Sequence, residues 1–122
     1  MKNPNLDKII HLIKQWFAEQ YQDNLETLIL YGSQARDDAQ KYSDVDILIV
    51  LKTDFNYREE IAKTSHFIAD LSLEHDTVIS RAFVSAKRFH SENNPFFLNV
   101  RKEGISLWLW TQLTASPHGA IA

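Results

Sequence analysis

The run Val45-Asp46-Ile47-Leu48-Ile49-Val50-Leu51 constrains this chain more than any other stretch. It is dense in β-branched residues, which favour strands. It lacks the polar alternation of a strand with one wet face. Both of its faces must therefore be covered, as in a central strand lying under helices. One residue breaks the pattern. Asp46 puts a carboxylate where an apolar side chain is expected, and that is costly unless something compensates it.

The segments around this strand supply the covering layers. Leu6, Ile9, Ile10, Ile13, Trp16, Phe17 and Tyr21 recur at helical spacing. They predict an amphipathic helix from Asn5 to about Tyr21, with Asn5 as its N-cap. Leu25 to Tyr31 reads as a second buried strand, ended by Gly32-Ser33. Gln34 to Ala39 follows as a short helix or turn, Tyr57 to about Leu73 as a helix, and Thr77 to Val84 as a third strand. Ser85 is placed to cap a short helix over Ala86 to Phe89. Asn93-Asn94-Pro95 breaks the chain before a helix from Phe96 to Glu103, with Gly104 as its C′ residue. Ile105 to Trp110 could add an edge strand. Helices and strands in this order predict an α/β domain, a small sheet covered by helices.

A length of 122 residues suits one domain. We place it at residues 1–113 and expect 114–122 to be a disordered tail. The absence of cysteine removes disulfides, thiolate metal sites and a cysteine nucleophile, and fits a cytoplasmic location. Met1-Lys2-Asn3-Pro4 carries no apolar signal region. No apolar run approaches the roughly 20 residues that span a bilayer, so no membrane association is expected. A net charge of -3 argues against direct nucleic-acid binding, which rests on neutralising phosphates. His11, His66, His75, His90 and His118 show no metal-ligand spacing, although His75 adjoins Asp76. The aromatic residues are expected in the core; Trp108 and Trp110, if exposed, would mark a partner surface.

The candidate chemistry gathers at the ends of the first two strands. A glycine at the end of a strand lets backbone N–H groups turn toward an anion, and Ser33 adds a hydroxyl donor. Arg36, or more weakly Lys41, could reach the same phosphates. Asp44 and Asp46 lie two apart on a strand, so their carboxylates share one face. Two such groups repel unless a cation lies between them. Mg²⁺ suits that place, being held by one or two carboxylates together with substrate phosphates. A third carboxylate would serve as a base or a further metal ligand. Asp76 is our choice for it, with Glu74 in reserve.

Gly32-Ser33, ten residues, then Asp44-x-Asp46, flanked by Leu-Tyr-Gly-Ser-Gln-Ala-Arg and Ser-Asp-Val-Asp-Ile-Leu-Ile, resembles the polymerase-β-like nucleotidyltransferase superfamily. It is most similar to the minimal nucleotidyltransferases (MNT), which pair with HEPN-domain ribonuclease toxins. The resemblance is sharp over Leu28 to Leu51 and weaker through the third strand and the Asn94-Pro95-Phe96 to Glu103-Gly104-Ile105 stretch. It implies a small mixed β-sheet flanked by helices. Gly32 and Ser33, with Arg36, would bind the triphosphate of ATP as substrate. Asp44 and Asp46 would ligate Mg²⁺, and Asp76 would match the third acid. It further implies an antitoxin that transfers AMP to a tyrosine of a HEPN toxin, with a hetero-oligomer of the two as one assembly. Asp37-Asp38 departs from the pattern, where many relatives have a glycine, and weighs against a phosphate role for Arg36. Three readings of different kinds follow: a nucleotidyltransferase acting on a protein or a small molecule, a silent antitoxin acting by contact, and another metal enzyme such as a glycosyltransferase or nuclease.

Overall fold

The computed structural model describes residues 4–36 and 44–108. The expected tail, Lys41, Asp37-Asp38 and Trp110 lie outside the described residues. Helix α1 (Leu6–Tyr21) leads through a 3₁₀ turn to β1 (Leu25–Tyr31) and the one-turn helix α2 (Ser33–Arg36). Then come β2 (Val45–Leu51), α3 (Tyr57–Glu74), β3 (Ile79–Ser85), α4 (Ala86–Ser91), α5 (Pro95–Glu103) and β4 (Ile105–Ser106). The strands form one sheet in the order β3-β2-β1-β4. Its pairing is mixed: β1 runs antiparallel to β2 and β4, and β3 runs parallel to β2.

The apolar run that predicted a central strand is one. Val45 and Ile47 to Leu51 are all buried. Alternation divides the strand between two layers. Val45, Ile47, Ile49 and Leu51 pack with Ile9, Ile10, Ile13 and Phe17 of α1 and with Ile68 and Leu71 of α3. Leu48 and Val50 pack with Ile29, Val84, Phe89 of α4, and Phe97 and Val100 of α5. The first layer holds an aromatic group in which Trp16 stacks on Phe67 at 4.4 Å and Phe17 meets the Trp16 ring edge-on at 5.0 Å. Arg81 points into this layer from β3. Its guanidinium donates to the Ile61 carbonyl (2.7 Å), Thr64 Oγ1 (3.0 Å) and Ser65 Oγ (2.9 Å), tying the strand to α3.

Local signals set most boundaries. Asn56 accepts from the Glu59 N–H, Ser85 from Arg88 and Asn94 from Phe97, so α3, α4 and α5 each begin on a side-chain cap. Two expectations change. Asn5 precedes α1, but its side chain makes no cap bond, and its amide instead reaches the His75 carbonyl. Gly104 ends α5 without left-handed backbone, at φ -69. A Cβ there would meet Ile29 Cγ2 and the Val100 carbonyl at 2.5 Å, so close approach of α5 to the sheet explains the glycine. No helix among the described residues is long and apolar enough to cross a membrane.

Phe17 is fully buried at the centre of the aromatic group. Phe17→Ala should cost about 3–5 kcal/mol, read as a lowered urea midpoint with an unchanged slope.

Candidate functional site

The β1–β2 ladder ends with Tyr31 opposite Asp46. Gly32-Ser33 therefore leaves the sheet beside the carboxylate pair. Gly32 has a φ of +75, a conformation that glycine adopts without strain. A Cβ on it would lie 2.5 Å from Asp46 Oδ2, so the carboxylate rests against the bare α-carbon. Two independent reasons thus require glycine here. The Gly32 carbonyl accepts from the N–H groups of Ala35 (3.1 Å) and Arg36 (3.2 Å), which closes the turn of α2 directly on the end of β1.

Asp46 shares its face of β2 with Leu48 and Val50, and so lies on the α4–α5 side of the sheet. It is partly exposed, and Asp44, just before the strand, is exposed. Burial raises the pKa of Asp46 above the ordinary carboxylate value, Asp44 raises it further, and Arg36 works against both. The Arg36 guanidinium also lies 3.7 Å from Glu103 Oε2 at the end of α5. An exposed pair of that kind contributes little to stability. Sequence-predicted Gly32, Ser33, Arg36, Asp44 and Asp46 thus come together on one rim.

Asp76 does not join them. It sits in the turn between α3 and β3, exposed, with φ +48. Glu74, the reserve, is the exposed last residue of α3. The parallel ladder pairs Asp46 with Ser80, four residues past Asp76, and the Val45 N–H donates to the Val78 carbonyl at 2.9 Å. Among the described residues no three His, Asp or Glu side chains gather closely enough to hold a metal ion. His75 is buried, its Nδ1 3.1 Å from the Leu71 carbonyl, which is a packing role.

The sequence pattern marks neither Tyr31 nor Ser80 as a site residue, and Phe96, expected in the core with the other aromatics, is exposed. Burial pushes the Tyr31 hydroxyl pKa up, and Asp46 and Tyr57 add to it. Its ring meets Phe96 edge-on at 5.4 Å, and Phe96 itself is largely exposed. The one hint was position: Tyr31 immediately precedes Gly32. Trp108 is exposed at one edge, with Lys14 Nζ 4.9 Å from its ring centre.

Comparison with known proteins agrees with this arrangement. Residues 10–102 match the model of the nucleotidyltransferase domain family. The chain is 32% identical over 105 residues to Putative protein adenylyltransferase MJ0604 of Methanocaldococcus jannaschii, covering 85% of this chain and 99% of that one. A chain of a toxin–antitoxin complex crystallised with AMP-PNP superposes with a TM-score of 0.58 at 16% identity, covering 81% of this chain and 72% of its own. A chain from the complex of a tri-AMPylated Shewanella oneidensis HEPN toxin with its MNT antitoxin gives 0.53 at 15% identity, covering 84% and 71%. At such identities these structures speak for the fold, which is polymerase-β-like, a mixed sheet with helices on both faces. With the glycine–serine turn seated against the aspartate pair, and a family match spanning most of its length, the chain belongs to the nucleotidyltransferase domain family.

Proposed function

We propose that this nucleotidyltransferase moves AMP from ATP to a hydroxyl of a partner protein, a tyrosine of a HEPN ribonuclease toxin, and acts as its antitoxin. The observation that carries the reading is the pairing of Tyr31 with Asp46, which seats the Gly32-Ser33 turn beside the carboxylate pair. The relative named as a protein adenylyltransferase supports protein as the acceptor class. The fold neighbours, one with AMP-PNP and one with an AMPylated HEPN toxin, support ATP and the partner.

The donor set suits a hard divalent cation. Asp44 and Asp46 offer oxygen ligands on one face, and the raised pKa of Asp46 records an electrostatic cost that a cation there would offset. Mg²⁺, when bound, would supply charge neutralisation at the phosphates. The chain's own residues do the rest. Gly32 leaves room for Asp46 and turns the backbone toward the triphosphate. Ser33 Oγ and the N–H groups that open α2 hold the leaving pyrophosphate. Arg36, which pairs with Glu103 Oε2, carries the positive charge that would meet the same oxygens. Much of the acceleration then comes from alignment and fixed dipoles.

Binding without catalysis is the second reading, favoured by the position of Asp76 away from the pair. Incubation with α-labelled ATP, Mg²⁺ and the product of the neighbouring gene separates the two. Label should appear on the partner and vanish with Asp46→Asn. Neutralisation of the partner that survives Asp44→Asn with Asp46→Asn would sink the enzyme reading.

Asp46→Asn should at the same time stabilise the fold. The carboxyl pKa is raised on folding, so its ionised form is disfavoured in the native state. That cost is absent below the unfolded pKa, grows as pH climbs to the folded pKa, and is constant above it. The variant should melt above the wild type at pH 7.5, with the gap closing as pH falls below the ordinary carboxylate range. Mg²⁺ with ATP should raise the melting temperature of the wild type and not of the variant. Gly32→Ala should lose about 1–2 kcal/mol from its left-handed backbone. Displacement of Asp46 by the new Cβ should lower transfer on the order of 10²-fold, visible as a fall in kcat.

A further inference from the structure

Asp46 has two cross-strand neighbours, Tyr31 on β1 and Ser80 on β3. Neighbouring strands lie roughly 4.8 Å apart, so these are the positions from which a further side chain reaches the pair. Residue 80 shares its face with Ala82 and Val84, and Val84 packs on the α4–α5 side with Leu48 and Val50. Its side chain therefore emerges on the same side as Asp46. A carboxylate at position 80 would complete a three-acid cluster, but the residue is serine. Asp76 cannot substitute from where it stands. Asp44 is level with Val78 when the register is continued, and Asp76 lies before that point, in the left-handed turn that follows α3. The intervening chain is pinned: Thr77 Oγ1 donates to the His75 carbonyl at 2.9 Å, and the Thr77 N–H donates to the Ser72 carbonyl at 3.0 Å.

We propose that Ser80 occupies the place of a third carboxylate, so that the site takes one divalent cation with its nucleotide where a three-acid site would take two. This rests on the nucleotidyl-transfer reading above. It also fixes the path of the acceptor proton. The hydroxyl oxygen bonds to the α-phosphorus, the bond from that phosphorus to the bridging oxygen breaks, and pyrophosphate leaves with the electron pair. The hydroxyl loses its proton to solvent before it attacks, as the alkoxide or phenolate, because β3 carries no carboxylate to take that proton.

The test is a count of bound Mn²⁺ by electron paramagnetic resonance on the full chain saturated with a non-hydrolysable ATP analogue. One Mn²⁺ per chain is expected for the wild type and for Asp76→Asn, and two for Ser80→Asp. Two in the wild type overturns the proposal while leaving the nucleotidyl-transfer reading intact. So does loss of the ion in Asp76→Asn, or a count of one in a Ser80→Asp variant that melts like the wild type. If Ser80→Asp fails to fold, the wild-type and Asp76→Asn counts decide alone. No bound Mn²⁺ and no bound analogue in the wild type overturns both readings. The proton path has its own readout. A carboxylate base of ordinary pKa is fully ionised between pH 6 and 8, so its rate profile would be flat there. Label transfer by the wild type should instead climb across that range, and a flat profile overturns the solvent path.

Discussion

The antiparallel ladder between β1 and β2 runs from Leu25 opposite Leu51, through a register shift before Thr27, to Tyr31 opposite Asp46. Strand side chains alternate with a period of two, so a slip of one residue would move every side chain of β2 to the other face. Asp46 would then enter the layer of α1 and α3, among Ile9, Ile13 and Phe17, away from the Gly32-Ser33 turn. The same slip would bring Leu48 and Val50 out of the pocket that Phe89 and Phe97 close. Apolar packing on two faces thus sets the register, and the register sets the distance between Gly32 and Asp46. The geometry of the site is a by-product of core packing.

That geometry stores a local conflict. Asp46 is partly buried next to a second carboxylate and against a glycine α-carbon. Nothing in the hydrophobic core gains from this arrangement. Arg36 relieves it in part, and the ion pair of Arg36 with Glu103 shows that the arginine is shared with α5. A site of this kind favours positive charge: a cation bound beside Asp46 would remove a repulsion that folding imposed. Sites that break the local rules of a fold in this way are where function tends to lie.

Long apolar runs made β1 and β2 legible to the residue, and helical spacing located α1 and α3. The Gly32-Ser33 and Asp44-x-Asp46 pattern could be read because each half sits on a strand end, where local sequence decides the conformation. What stayed hidden was the parallel partner. The register of β3 depends on α3 and on the turn at Asp76, not on any property of the strand itself. Thr77 and Val78 have strand-forming side chains and suggested an early start, yet the hydrogen bonds of Thr77 back to α3 delay it to Ile79. Asp76 was therefore placed near the pair by closeness to a strand, while Ser80, unremarkable in sequence, arrives beside Asp46. Gly104 carried the same lesson. Its position at a helix end was right, but its reason was the approach of α5 to Ile29.

The two layers that flank the sheet differ in bulk. One is built of α1 and α3, with 16 and 18 residues, and the other of α4 and α5, with 6 and 9. The carboxylate pair opens on the thinner side. Inheritance along β2 should feel this asymmetry. At positions 45 and 47 drift is limited by the need to remain folded, and at 44 and 46 by the need to work. A lineage that abandoned the reaction but kept the protein would erode positions 44 and 46 first, and the chain would persist as a well-packed shell around a vacated rim.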